Sequence, residues 1–358
     1  MVGGRYGGEY NRSFCWHSAG HEMKLCVIPG DGIGHEVVPV AVGVLQAVLP
    51  GLQLVFADAG WEEFCRNGKA LPERTLQVAR DCGAVFFGAV SSPMQLVEGY
   101  RSPIVQLRRE LGCHANIRPT LSLPLATCRH GIDLIIVREN TEDLYVGDEQ
   151  SDGEVAVAVK RITRTASLRV ARSAFELARH AGRQRITIIH KANILPRTDG
   201  LFRDAAREVA QDFPDIAVDE MLVDTAAMRL AQAPESFDML LAPNLYGDIL
   251  SDLAAAFGGG LGLAASLNLG AQAAIAEPVH GSAPDIAGQG IANPLAAILS
   301  AAMLLRVWWQ RADLALKIEA VVQATLLDGI ATPDVISPGV STQHLARVVI
   351  ERLKQEAS

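Results

Sequence analysis

Aromatic residues are scarce. Phe, Trp and Tyr make up 5% of the 358 residues, so the core has to be assembled from Ala, Val, Leu and Ile. An excess of positive charge is missing too: Lys and Arg number 32 against 40 Asp and Glu, a formal net charge of −8. That excludes a general nucleic-acid or anionic-membrane binder, which needs a basic surface. None of the six cysteines (15, 26, 65, 82, 113, 128) forms a Cys-x-x-Cys pair, so neither a zinc site nor a redox pair is signalled. Cys26, inside Leu25-Cys26-Val27-Ile28, reads as a buried thiol of a reducing compartment. Long apolar runs are absent. Residues 253–276 carry no charge, but five glycines and Asn268 interrupt them, and a spanning helix needs ~20 mainly apolar residues. The run Ile291–Leu305 is shorter and contains Pro294. Residues 1–22 are Gly-rich and polar, lack a signal-peptide core and read as a disordered tail, with Met23 as an alternative start. Together these absences point to a cytoplasmic protein with no nucleic-acid or membrane partner. The apolar fraction of 49% suffices for cores in two or three domains.

What is present is a series of short, unalternated apolar runs separated by helical patterns. Strands are expected at Leu25–Ile28, Leu52–Ala57, Ala84–Gly88, Leu134–Val137, Ile186–Ile189 and Met239–Leu241. Helices are expected at Val37–Val48, Pro72–Arg80, Ser167–His180, Leu201–Val209 and Asp248–Phe257. This alternation indicates an α/β fold with a largely parallel sheet covered on both faces. Residues 155–164 (VAVAVKRITR) alternate in part and read as an exposed strand pairing outside that sheet. Polar clusters follow the strands: 29–34 (PGDGIG), 91–93 (SSP), 138–142 (RENTE), 190–193 (HKAN) and 244–248 (NLYGD). Ligands of α/β sheets bind beyond the carboxyl ends of the strands, so these clusters are expected to converge.

Asp248 and Asp252 are four residues apart and share one face of a helix. Hard divalent cations prefer such oxygen ligands. An isolated pair of this spacing is more often a solvated helix face, but this one sits at a strand-to-helix junction amid apolar residues. Asp224 is a third candidate ligand. Arg108, Arg109, Arg118 and Arg138 form a basic set. A guanidinium grips a carboxylate two oxygens at a time, so arginines near a metal suit a substrate with several carboxylates. Lys191, at a strand end, can act as a base and the phenol of Tyr145 can donate a proton. A snorkelling lysine and a packing tyrosine are the plainer alternatives. The run Gly30-Asp31-Gly32-Ile33-Gly34 is not a Rossmann fingerprint, because His35 stands where G-x-G-x-x-G needs its last glycine. The small-residue loop 277–288 can hold a nucleotide, with Asp285 accepting from ribose hydroxyls and repelling the extra phosphate of NADP.

Six segments carry a resemblance: IPGDGIGHEV (28–37), VRENTEDLY (137–145), HKANILP (190–196), NLYGDILSD (244–252), EPVHGSAPDIAGQGIANP (277–294) and AAILSAAMLL (296–305). Through them the sequence resembles the metal-dependent β-decarboxylating 2-hydroxyacid dehydrogenases, the isocitrate/isopropylmalate dehydrogenase family, from Met23 to about Leu305, with a weaker tail. The resemblance implies a two-domain fold with parallel and mixed sheets flanked by helices. A discontinuous NAD-binding domain would span 23–113 and 259–358, and a substrate, metal and dimerisation domain 114–258, with 155–164 in an intersubunit β clasp. It implies NAD and Mg²⁺ or Mn²⁺ as cofactors, and a homodimer or dimer of dimers with shared sites. By position, Arg108, Arg118 and Arg138 resemble the arginines that bind the malate-like part of the substrate. Tyr145 and Lys191 resemble the acid–base pair, and Asp224, Asp248 and Asp252 the metal ligands. In the family the lysine and the first aspartate enter from the partner subunit. His280, Gly281, Ser282, Ala283, Asp285, Ile286 and Asn293 resemble the adenosine side of the cofactor site, Asp285-Ile286 matching the NAD-using pattern. In the implied reaction Lys191 removes the hydroxyl proton, directly or through Asp224 or water. Hydride then leaves for the nicotinamide, CO₂ is lost and Tyr145 reprotonates the enolate.

Specificity is expected in Ser91–Arg109, which meets the substituent on the substrate's third carbon. Ser92, Ser102 and Asn193 are the further substrate contacts. Ser102 stands six residues before Arg108, as in isocitrate enzymes, but Ile104 replaces the asparagine that many of them carry. Gln95 stands where homoisocitrate enzymes often have an arginine, a place Arg101 can fill. Elsewhere, 60–62 (GWE), 192–196 (ANILP) and 212–214 (DFP) are most similar to homoisocitrate dehydrogenases. The resemblance therefore favours oxidation of homoisocitrate to 2-oxoadipate, of the lysine-biosynthesis type, ahead of isocitrate and 3-isopropylmalate. A non-catalytic regulatory subunit of a hetero-oligomeric isocitrate dehydrogenase is the alternative from another class, but such subunits tend to lose residues that are all present here. Asp143 stands where the family motif usually has glycine.

Overall fold

Branched apolar runs, punctuated by Gly- and Pro-rich connections, pair into strands while the segments between them coil into helices. The computed structural model describes residues 23–355 except residue 96; the tail expected over 1–22 lies outside the described residues. Strands run at Lys24–Gly30 (β1), Gln53–Phe56 (β2), Ala84–Ala89 (β3), Ala115–Leu121 (β4), Asp133–Glu139 (β5), Glu149–Ser151 (β6), Ala156–Ala158 (β7), Arg185–His190 (β8), Ala217–Leu222 (β9), Met239–Ala242 (β10), Ala265–Leu269 (β11) and Ala274–Pro278 (β12). Helices run at Gly34–Val48 (α1), Trp61–Asn67 (α2), Glu73–Cys82 (α3), Pro103–Glu110 (α4), Arg164–His180 (α5), Thr198–Ala210 (α6), Val223–Gln232 (α7), Asn244–Phe257 (α8), Leu295–Met303 (α9), Ala312–Leu327 (α10) and Thr342–Gln355 (α11).

One sheet of ten strands has the order β2-β1-β3-β12-β11-β4-β5-β10-β8-β9. β2, β1, β3 and β12 are mutually parallel, and so are β5, β10, β8 and β9. The antiparallel strands β11 and β4 join these blocks, which therefore point in opposite directions. This is the expected α/β class, a large and mostly parallel sheet flanked by helices. β6 and β7 pair antiparallel outside it, fully exposed, within and just before the segment where the sequence expects a separate strand. The uncharged stretch 253–276 divides among the end of α8, β11 and the start of β12. Among the described residues no helix is long and apolar enough to cross a membrane.

Side chains alternate across a strand, and the two faces of this sheet are covered differently. On one face a single core, including Val27, Phe86, Ile117, Val137 and Ile188, runs the width of the sheet under α1, α5, α9, α10 and α11. The other face has two separate cores. Ile28, Val85, Phe87 and Ile275 pack under α3 and α4, and Leu134, Ile136, Ile189 and Leu240 pack under α7 and α8. Between those cores the same face presents Asn116 and Arg118 of β4, Ser266 and Asn268 of β11, and Glu277 of β12, all buried. Apolar burial, at ~25 cal/mol per Å², holds helices down on either side of this polar strip. The helix cover opens over it, and the candidate site lies there.

Candidate active site

α8 reaches the strip because of a glycine. A Cβ at Gly247 would stand 2.7 Å from Cβ and Cγ of Arg138, so only glycine lets the helix lie against the end of β5. Asp248 and Asp252 then face the arginines. Arg138, 1% exposed, donates from Nε to Asn244 Oδ1 at 2.9 Å and pairs with Asp248. Arg118 donates to Ser251 Oγ at 2.8 Å, pairs with Asp252 at 2.9 Å and lies 3.3 Å from Asp248. Tyr145 donates its hydroxyl to Asp248 Oδ2, and its ring centre is 4.8 Å from the Arg138 guanidinium carbon. Arg109 donates to the Tyr145 carbonyl.

Burial and charge compete at each group. Burial lowers Arg138 to about 10 in spite of Asp248. Burial also opposes ionisation of Asp248, yet Arg138 and Arg118 outweigh it and hold that carboxyl below its ordinary range. One turn on, burial wins and raises Asp252 despite Arg118. Burial raises the Tyr145 phenol; Arg138 opposes the rise and the hydrogen bond to Asp248 adds to it. The phenol thus keeps its proton at neutral pH.

A chain of amides forms the floor. Arg118 Nε donates to Asn116 Oδ1 (2.8 Å), Asn116 Nδ2 to Asn268 Oδ1 (2.9 Å) and Asn268 Nδ2 to Glu277 Oε1 (2.7 Å), which also accepts from Arg108. Above it lies a cavity of about 150 Å³ whose lining includes Arg108, Arg118, Glu277, His280 and Gly281. Sequence reasoning missed Asn116, Asn268 and the part played by Glu277; their one signal is polar alternation within short strands.

The ends of β1, β3 and β12 gather separately. The Asp31 carboxylate accepts from the N–H groups of Trp61 (2.8 Å), Glu62 (2.9 Å) and Ser91 (2.9 Å). Ile33 N–H donates to the Ser282 carbonyl at 2.9 Å, and the Ser91 and Ser282 hydroxyls are 2.7 Å apart. Gly32, at φ +56°, leaves room for that contact, since a Cβ there would meet the Ser282 oxygen at 2.2 Å. The glycine-rich turn is therefore the seat of the 277–288 loop. In that loop His280 Nδ1 is 2.9 Å from the Gly281 oxygen, and its Nε2 is buried without a partner. Asp285 is exposed, and Ile286 packs half-buried on the core next to Ala287, with Ala283 nearby at φ +39°. Asn293 is already engaged, with Asp334 at 3.0 Å and Leu295 N–H at 3.0 Å. An unpartnered buried imidazole nitrogen and an exposed carboxylate on a small-residue loop fit a nucleotide.

Lys191 stands elsewhere. Its Nζ is 2.6 Å from Oδ1 of Asp224, at the head of α7, and this bond lowers the Asp224 carboxyl. Asn193, two residues on, is exposed. Among the described residues no three His, Cys, Asp or Glu side chains are placed to hold a metal ion. One chain thus brings Asp248, Asp252, Tyr145, Arg118 and Arg138 together, with Arg108 joined to them through the floor, and keeps Lys191 and Asp224 as a second unit. The carboxylates of Asp248 and Asp252 suit Mg²⁺ or Mn²⁺ in kind and need a further donor in number. In the specificity stretch Ser92 is exposed, Tyr100 donates its hydroxyl to the neighbouring Ser91 carbonyl at 3.0 Å, and Ser102 precedes α4 without capping it.

The profile of the isocitrate/isopropylmalate dehydrogenases matches residues 24–349. Over 331 residues the chain is 49% identical to the isocitrate/homoisocitrate dehydrogenase of Thermus thermophilus, covering 92% of this chain and 98% of that protein. It is 48% identical over 331 residues to the 3-isopropylmalate dehydrogenase of Archaeoglobus fulgidus, covering 92% and 99%. Its structure matches the crystal structure of isocitrate dehydrogenase from Methylococcus capsulatus with a TM-score of 0.89 and 42% identity, over 93% of this chain and 99% of that one. The fold and its relatives define an oxidoreductase, a decarboxylating dehydrogenase. The chain belongs to the isocitrate/isopropylmalate dehydrogenase family.

Proposed function

We propose that the protein oxidises and decarboxylates homoisocitrate to 2-oxoadipate, with NAD as hydride acceptor and Mg²⁺ or Mn²⁺ as metal. It works in the cytoplasm as a homodimer or dimer of dimers, in which Lys191 and Asp224 of one subunit complete the site built around Tyr145, Asp248 and Asp252 of another. The observation that supports this best is the convergence of arginines and Tyr145 on the Asp248–Asp252 pair. When bound, the nicotinamide accepts hydride and the divalent cation polarises the oxygen on the carbon that is oxidised. The chain's own residues do the rest. Arg108, Arg118 and Arg138 exchange Glu277, Asp252 and Asp248 for substrate carboxylates. Lys191 takes the hydroxyl proton, directly or through Asp224 or water. After CO₂ leaves, the Tyr145 hydroxyl delivers a proton to the carbon that carried it.

His280, Gly281, Ser282, Ala283, Asp285, Ile286 and Asn293 form the cofactor loop, in an NAD-binding domain of 23–113 and 259–358, while 114–258 is the substrate domain. The hydroxyls of Ser92 and Ser102, with Arg101 and Asn193, offer polar contacts to a third carboxylate. Isocitrate is the second reading, favoured by Ser102, whose hydroxyl caps nothing six residues before Arg108. The test is kcat/KM of the purified chain for homoisocitrate, isocitrate and 3-isopropylmalate, with NAD⁺ and NADP⁺. Homoisocitrate with NAD⁺ is expected to lead. A preference for isopropylmalate above both tricarboxylates would overturn the assignment, and no turnover at all would favour a regulatory subunit.

A further inference from the structure

Asp143 takes a backbone conformation that favours glycine. With φ +69° and ψ −145°, it lies in a region almost closed to residues with a Cβ, and its side chain is 0% exposed. A carboxylate kept there against strain and burial has work to do, and its contacts show what. Oδ2 accepts from the N–H of Leu245 at 2.9 Å, in the first turn of α8. That helix starts after Pro243, whose side chain offers no acceptor, and its positive end favours a carboxylate. Oδ1 lies 3.6 Å from Nζ of Lys160. The Asp143 N–H donates to the Arg161 carbonyl at 2.8 Å, which joins it to the chain leaving β7. Lys160 reaches on to Asp199 Oδ1 at 2.7 Å and covers the Tyr246 ring at 4.3 Å. Asp199 Oδ2 in turn accepts from the N–H of Lys191 at 2.7 Å.

We propose that Asp143 is a positioning residue whose side-chain oxygen, accepting from Leu245 N–H, locks the Tyr145 turn onto the head of α8. Tyr145 is two residues beyond Asp143, and Asp248 is three beyond Leu245. A single carboxylate therefore fixes the separation between the phenol and the carboxylate it bonds. Without it α8 begins with an uncapped turn, and Asp248 and Tyr145 are free to drift apart. The inference rests on the roles given above to Tyr145 and Asp248.

The test uses the full-length protein. Asp143→Gly removes the carboxylate and relieves the backbone; Asp143→Asn keeps an acceptor for Leu245. The glycine variant is expected to lose at least fivefold in kcat and to bind Mn²⁺ at least threefold more weakly by calorimetry, with KM for NAD within twofold of wild type. The asparagine variant is expected to stay within twofold in all three. Amide exchange in the first turn of α8 is expected to speed at least tenfold in the glycine variant alone. Smaller changes in the glycine variant, or a failure of asparagine to rescue, would overturn the proposal. Amide exchange reads the tie even if the wild type turns over none of the three acids, an outcome that overturns the functional reading by itself.

Discussion

Two inactive variants should restore activity when mixed. Tyr145→Phe keeps the ring beneath the Arg138 guanidinium and removes only the hydroxyl that Asp248 accepts. A hydrogen bond to a charged partner contributes about 1.5–3 kcal/mol when buried. The Asp248 side chain is 30% exposed, so about 1 kcal/mol of stability is at stake. Proton delivery in the transition state is worth about 10²–10⁴ in rate, or about 3–5 kcal/mol of barrier. Turnover should therefore collapse while the unfolding midpoint barely moves. Lys191→Ala breaks a pair whose aspartate is 63% exposed, so it too should fold normally and fail in catalysis. Tyr145 lies with Asp248 and Asp252, and Lys191 with Asp224. In a two-fold dimer with shared sites, a mixed dimer holds one site with both groups intact and one with neither. Random reassociation of equal amounts makes about half the dimers mixed, which returns about a quarter of wild-type activity. The assay is NADH absorbance after the two variants are dissociated and refolded together. Activity no greater than the sum of the separate variants would refute sharing, and near-normal turnover by either variant alone would refute its role.

Two further outcomes are expected. His114, 1% exposed, is lowered from 6.5 to about 4 by burial and then by Arg169. Unfolding lets it take up a proton, so its contribution is complete above about pH 6.5 and falls as pH drops towards 4, by about 3 kcal/mol. Urea midpoints from pH 7 to 4 should show His114→Gln without this share of the acid loss; equal slopes in the two proteins would refute it. Mn²⁺ at about a hundred times its Kd should add about 2.7 kcal/mol to unfolding, and Asp252→Asn should lose most of that gain. An undiminished gain would remove Asp252 from the ligand set.

Strands with apolar residues on both faces were legible as continuous runs, and β1, β3, β5, β8 and β10 lie within two residues of the expected positions. β4 (ANIRPTL) and β11 (ASLNL) were not, because one row of each is Asn116 and Arg118, or Ser266 and Asn268. The residues that make the polar floor are the ones that erase the apolar pattern. Helical period sufficed to put Asp248 and Asp252 on one face, but α8 begins four residues before Asp248, and its cap comes from a side chain about a hundred residues away. The turn 30–34 was legible only as unusual. Its Asp31 holds three backbone N–H groups that no local pattern connects. Separation of the Lys191–Asp224 unit from Asp248 depends on tertiary placement, which spacing along the chain does not encode.

The central position of β12 has a consequence during synthesis. It slots between β3 and β11, yet it leaves the ribosome about 185 residues after β3. At about 5–20 residues per second that is a wait of roughly 10–40 s. Throughout it, the β3 edge, with Val85, Phe86 and Phe87, is open to pairing with other nascent chains. Chaperone binding in that interval should decide yield more strongly than the stability of the finished protein.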